Sequence, residues 1–129
     1  MYTVIVRPGH IYGPTASPRD KRISSEFAYF AAQGKELEMK SLGVQKRSYC
    51  YSLDCASAIL IALMNGEKGE SYNVGHDEVT SIREMAQVLA EAGNVGLKIN
   101  APTVEDLKQF NPMDNSSLDN EKIKRIGYR

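Results

Sequence analysis

The chain is short of histidine and cysteine, with two of each among 129 residues, and it carries no net charge, because sixteen basic residues balance sixteen acidic ones. Neutrality removes the global field that nucleic acid or an anionic membrane would read, so any anion site must be local. Cys50 and Cys55 lie five apart across a predicted strand-to-helix junction, poor geometry for a bridge, and one pair makes no secreted framework. Reduced thiols in a cytoplasmic protein are the expectation. No apolar run approaches the ~18 residues needed to span a bilayer, and no charged-then-apolar leader opens the chain. Neither membrane anchor nor signal peptide is expected.

Several chemical motifs are also missing. A dinucleotide fold needs glycines in a tight turn after a strand, so that backbone can approach a pyrophosphate. Gly9 and Gly13 follow a strand, but their spacing is wrong and prolines flank both. Gly34-Lys35 lacks the upstream glycine and the following Ser or Thr of a Walker A loop. No Gly-x-Ser-x-Gly elbow exists, and nothing in the spacing of His10 or His76 pairs either with a nucleophile. The set Cys50, Cys55, His10 and His76 fits no structural zinc spacing, so no metal is expected.

What remains is ordinary globular material, 42% hydrophobic and 25% charged. A domain of this length buries about two thirds of its unfolded surface. Residues 2–7 read as a strand whose continuous apolar run is typical of burial on both faces of a parallel sheet. The run Gly13–Pro18 reads as turns. Ser24 or Ser25 is expected to cap a helix that turns Phe27, Phe30 and Ala31 inward and stops at Gly34. "ELEMK" (36–40) alternates as a short strand, Gly43 marks a turn, and a strand follows over 46–52.

Asp54 is placed to cap the next helix, with Ile59, Leu60, Leu63 and Met64 at helical spacing and Asn65-Gly66 closing it. "ESYNVG" (70–75) is a strand ending in a glycine turn. Ser81-x-x-Glu84 is a capping box ahead of Ile82, Met85, Ala86, Leu89 and Ala90 on one face, with Gly93 at the stop. "LKI" (97–99) is a last short strand. A polar stretch, Asn111–Ser117, leads to a terminal helix with Ile123 and Ile126, ended by Gly127. Strands and helices alternate, so the class is α/β or α+β.

Arg47 stands at a strand start, on the same side as Tyr49 two residues on. A fork of planar donors beside a phenol suits diphosphate oxygens. On these features alone a solvated strand-edge arginine is the favoured reading.

Five stretches in order change that balance. "VIVRPGHIYGP" (4–14) resembles the R-P-x-N-x-Y-G-P strand and loop of extended short-chain dehydrogenases/reductases, the NAD-dependent epimerases and dehydratases of nucleotide sugars. "GKELEMKSLGVQKRSYCYSLDCASAI" (34–59) is similar to that family's G-K-x-L-x-x-x-G-x-G-x-Q-x-R-x-x-x-x-V-x-D-x-A segment. "GESYNVG" (69–75) resembles its G-x-x-Y-N-V-G strand. "TSIREMAQVLAE" (80–91) and "SLDNEKIKRIGY" (117–128) are similar to the helix after that strand and to the terminal helix.

The resemblance implies residues 1–129 as a single C-terminal substrate-binding region. It would hold the last strand of a Rossmann-type sheet and the small substrate domain. The glycine-rich NAD half and the Tyr-x-x-x-Lys pair are absent. It assigns Arg47 to the diphosphate of a nucleotide-diphosphate sugar, with Tyr49 beside it and His10 in the place of the usual asparagine. Met39 and Lys40, in the Leu37–Lys40 strand, would lie against the nucleotide base, largely through backbone groups. Arg22, Ile23 and Ser24 would approach the nucleotide, and Pro8, Gly9 and Tyr12 would border the nicotinamide of NAD or NADP. A second phosphate arginine of many members is replaced by Asn111-Pro112-Met113-Asp114-Asn115, and Arg22 or Lys40 is the candidate substitute. The isolated chain is expected to be catalytically inactive and to bind no cofactor tightly. The alternative is a free-standing binding module that pairs with a second copy.

Overall fold

Strand pairing in this chain is entirely parallel wherever a register is defined, and every such pair joins segments far apart in sequence. The computed structural model describes residues 1–14, 17, 19–109 and 113–129. The expected turns at 15, 16 and 18 and the start of the polar stretch at 111 and 112 lie outside the described residues. In chain order the elements begin β1 (Ile5–Pro8), β2 (His10–Tyr12), α1 (Ile23–Ala32), β3 (Leu37–Met39), β4 (Lys46–Arg47), β5 (Tyr49–Tyr51) and α2 (Ser52–Asn65). Then follow β6 (Ser71–Val74), β7 (Thr80–Ser81), α3 (Ile82–Gly93), β8 (Leu97–Ile99), α4 (Val104–Gln109), β9 (Asn115–Ser116) and α5 (Glu121–Lys124). The class is mixed α/β. Two compact units form: Met1–Gly13, Arg47–Val79 and Ser116–Arg129 in one, Pro14–Lys46 and Thr80–Asn115 in the other.

In the first unit the opening segment changes partner. β1 pairs with β6, Ile5 opposite Ser71, and β2 pairs with β5, His10 opposite Tyr49. Gly9 makes the switch: its N–H donates to the Val74 carbonyl, and a methyl group there would lie 3.3 Å from the Ser48 carbonyl oxygen. The expected burial of residues 2–7 on both faces is corrected here. Val4 and Val6 pack on the core, whereas Ile5 is 47% exposed, because β1 has β6 alone beside it among the described residues.

The helix after β5 is also corrected. It starts at Ser52, Leu53 belongs to it, and Asp54 sits in the first turn with no capping hydrogen bond, where its charge still suits the helix dipole. Its buried residues are Cys55, Ala58 and Ala62, not the larger side chains expected. Leu60, Leu63 and Met64 point outward at 58%, 67% and 76% exposure. Periodicity marks two apolar faces on this helix, and the face of small side chains lets the backbone approach the sheet. Cys55, Ala58 and Ala62 join Cys50, Tyr72, Val74 and Ile123 in one core.

The second unit has its own core of Phe27, Ala31, Leu37, Met39, Ala86 and Ala90. The alternation in "ELEMK" is realised, with Leu37 and Met39 buried and Glu38 exposed, and β3 lies parallel to β8. α1 is not capped by Ser24 or Ser25, which fall inside its first turn; the Asp20 carboxylate instead accepts the Arg22 N–H at 3.0 Å. Gly34, at φ +70°, ends the helix, and the Lys35 N–H reaches back to the Phe30 carbonyl. The capping box of α3 is present in full, though the left-handed stop is Asn94 and not Gly93. α4, unexpected from periodicity, starts on a second such box: Thr103 Oγ1 and N–H donate to Asp106, and the Asp106 N–H donates back to Thr103 Oγ1. The Lys46 N–H donates to the Asp114 carbonyl and the Ile82 N–H to the Gln45 carbonyl.

Candidate functional site

The parallel register of β2 and β5 sorts their side chains cleanly. Ile11 opposes Cys50, and both turn into the core. His10 opposes Tyr49 and Tyr12 opposes Tyr51, so four rings share the other face. Their centroids form a chain: Tyr51 to Tyr12 at 5.6 Å, Tyr12 to Tyr49 at 6.4 Å, Tyr49 to His10 at 6.1 Å. His10 is exposed, and its Nε2 lies 3.1 Å from Ser116 Oγ.

Arg47 ends β4 and is only 6% exposed, so it is not the solvated edge arginine that composition favours. Its charge eases ionisation of the Tyr49 phenol, while burial pushes that phenol up more strongly. The described residues supply no hydrogen-bond partner for the Tyr49 hydroxyl. Ser48, between Arg47 and Tyr49, is fully buried. Its hydroxyl donates to the His76 carbonyl at 2.5 Å and accepts the His76 N–H at 2.9 Å, fixing the backbone between Arg47 and Tyr49. Asn73 holds structure, donating from Nδ2 to the Asp119 carbonyl at 3.2 Å.

Pro8, Gly9, His10, Tyr12, Arg47 and Tyr49 thus all belong to the first unit. Arg22, Ser24, Met39 and Lys40 belong to the second. Arg22 donates from Nε and Nη2 to both Asp20 oxygens, an ion pair that holds the Asp20 carboxyl far below its ordinary range. Lys40 lies 4.0 Å from an Asp106 oxygen. The Met39 side chain is in the core and its carbonyl accepts the Asn100 N–H. Ser24 is half-buried in α1.

Two residues of the ring cluster and its rim escaped the sequence reading. Tyr51 was read as finishing a strand, although the alternation 47, 49, 51 was visible. Ser116 had no local signal, since it reaches His10 only through the fold. The cysteines behave as small core groups: burial pushes both thiols up, and the neighbouring Tyr128 phenol is pushed up to about 12.

Residues 1–75 match the model of the NAD dependent epimerase/dehydratase family, and the chain belongs to that family. It is 28% identical over 125 residues to a trifunctional UDP-glucose 4,6-dehydratase/UDP-4-keto-6-deoxy-D-glucose 3,5-epimerase/UDP-4-keto-L-rhamnose-reductase of Arabidopsis thaliana, covering 97% of this chain and 18% of that protein. Among solved structures it is similar to a dTDP-glucose 4,6-dehydratase of Streptomyces venezuelae with NAD and TYD bound. There the TM-score is 0.79 at 25% identity, over 98% of this chain and 38% of that one. The fold is shared with a UDP-glucose 4-epimerase of Thermotoga maritima solved with UDP-glucose, at TM-score 0.81 and 24% identity, over 98% of this chain and 40% of that one. The chain therefore spans less than half the length of each of these proteins.

Proposed function

We propose that this chain is the nucleotide-sugar-binding part of an NAD-dependent epimerase or dehydratase of the extended short-chain dehydrogenase/reductase type, and that it has no turnover by itself. The observation that carries this is Arg47: an arginine 6% exposed at the end of β4, two residues before Tyr49, whose hydroxyl has no hydrogen-bond partner among the described residues. A rigid, largely desolvated fork of donors is the arrangement a diphosphate uses. Tyr49 and His10 flank it in the first unit. In the second unit, Ser24, Met39, Lys40 and Arg22 are the proposed nucleotide contacts, with the Arg22 charge already shared with Asp20.

Toward NAD the chain offers one border only, Pro8, Gly9 and Tyr12. The glycine itself is required by the chain's own packing, since a side chain at Gly9 would meet the Ser48 and Val74 carbonyl oxygens and Leu118. The chain's own sequence holds no glycine turn for the pyrophosphate, so the cofactor's phosphates are left to residues outside it. Bound NAD would supply the hydride acceptor; these residues supply orientation.

Calorimetry of the 129-residue chain with UDP and dTDP tests the reading. Binding that falls tenfold or more in Arg47→Ala, against an unaffected Lys98→Ala control, is the expected result. Affinity indifferent to Arg47 would overturn it.

A second reading, a non-catalytic module that pairs with another copy, is favoured by the outward apolar face of α2 at Leu60, Leu63 and Met64. Light scattering after size exclusion decides: a monomer at every concentration removes it.

A further inference from the structure

Asp54, in the first turn, is the one charged side chain on the 14 residues of α2. The buried side of the helix is made of small groups, which leaves its large aliphatic side chains outside. Leu53, Leu60, Leu63 and Met64 are 66%, 58%, 67% and 76% exposed, with the exposed Ala56 and Ser57 among them. At 3.6 residues per turn these six positions share one stripe, about 120° wide. We propose that this stripe seats a second copy of the chain, α2 lying antiparallel against its own copy across a two-fold axis. This gives the second reading above its geometry and rests on that reading.

Size, area and charge choose this occupant and its direction. A helix face that mixes bulky and small groups needs the complementary order opposite, and α2 supplies that order when reversed. With the axis between positions 58 and 59, Leu60 of one copy meets Ser57 of the other, Leu53 meets Met64, and Leu63 enters the gap between Leu53 and Ser57. Four aliphatic side chains more than half exposed, closed over by the same four, cover roughly 1,000 Å² in total, which reaches the lower limit of a stable interface. No charge interrupts the stripe. A parallel pair would bring the two Asp54 carboxylates together, whereas the reversed pair holds them roughly 13 Å apart along the axis, beyond the screening length at ordinary salt. The reversed pair also sets the two helix dipoles in opposition, which is the favourable arrangement.

The test follows the mass of the 129-residue chain by light scattering from about 1 to 200 µM, where a rise from monomer to dimer is expected. Leu60→Glu should raise the dimer's dissociation constant about tenfold or more, with helicity by circular dichroism unchanged. Val88→Glu, at an apolar position 63% exposed on α3, should leave the constant where it was. Direction is read by oxidising a mixture of Ser57→Cys and Leu60→Cys chains, one of them isotopically heavy. The two variants should join each other in preference to themselves, and Cys50 and Cys55 are buried and do not compete. A dimer indifferent to Leu60→Glu, or Ser57→Cys joining mainly to itself, overturns the proposal and leaves the second reading standing. A monomer at every concentration overturns both.

Discussion

Ser48 and His76 exchange two hydrogen bonds, the hydroxyl donating to the carbonyl and accepting the amide proton, although 28 residues separate them. That reciprocal pair ties the start of β5 to the turn after β6. Asn120 braces the same turn, donating from Nδ2 to the Gly75 carbonyl at 2.9 Å.

Ser48→Ala should therefore cost about 1–2 kcal/mol, since it leaves a buried turn with both backbone groups less well satisfied. Urea denaturation measures it, with the midpoint moving and the slope constant. Because the bond pair holds the backbone beside Arg47, diphosphate affinity should fall in the same variant while the fold persists.

Gly43 and Gly34 form a matched comparison. Both have positive φ, +65° and +70°, but a methyl group at Gly34 meets nothing within 4 Å. At Gly43 it would clash with the end of Met39 and lie 2.9 Å from the Arg83 nitrogen. Gly34→Ala should cost about 1 kcal/mol of backbone strain, and Gly43→Ala about 1–3 kcal/mol more from crowding. Equal losses in thermal melts would mean that Met39 and Arg83 yield freely.

The α3 cap sets a pH response. The Ser81 N–H and hydroxyl both donate to the Glu84 carboxylate, at 2.7 and 2.8 Å, and hold it below its ordinary 4.5. A depressed carboxylate contributes its stabilisation in full above the unfolded value and loses it as pH falls through the lower folded value. Glu84→Gln should flatten the stability-against-pH curve below about pH 4.5 and leave it unchanged near neutrality beyond a constant offset. Denaturant midpoints between pH 2 and 7 supply the comparison.

α2 should respond to mutation in the reverse of the usual order. Ala58 is fully buried, so Ala58→Leu should cost about 1–3 kcal/mol by overpacking. Leu60→Ala and Leu63→Ala, on the outward face, should stay within about 0.5 kcal/mol. A large loss at Leu63 in the monomer would show that this face is covered.

The same helix shows where sequence reading reaches its limit. Period alone located it, yet both its faces are apolar, and only the sheet beneath selects small side chains over large. Strand positions were legible wherever alternation was strict, as in "ELEMK". The Ser81–Glu84 box was legible because its two partners are three residues apart. The start of α1 was misread because two serines in its first turn offer a capping side chain on composition, whereas the N-cap residue is Arg22 and carries no side-chain cap. For the candidate site, Arg47 and Tyr49 were named from local order and Tyr12 from the family resemblance. The ring face they share with Tyr51, and the Ser116 contact to His10, depend on a register between strands that no local pattern encodes.

That register has a consequence for how the molecule is made. Ile5 waits for Ser71, His10 for Tyr49, and Leu37 for Leu97, with no hairpin among these pairs. During synthesis β1 can take the partner it has here only once Ser71–Val74 has been made. Folding rate should accordingly be governed by the closure of long loops, and slow synthesis should prolong the interval before these pairs close.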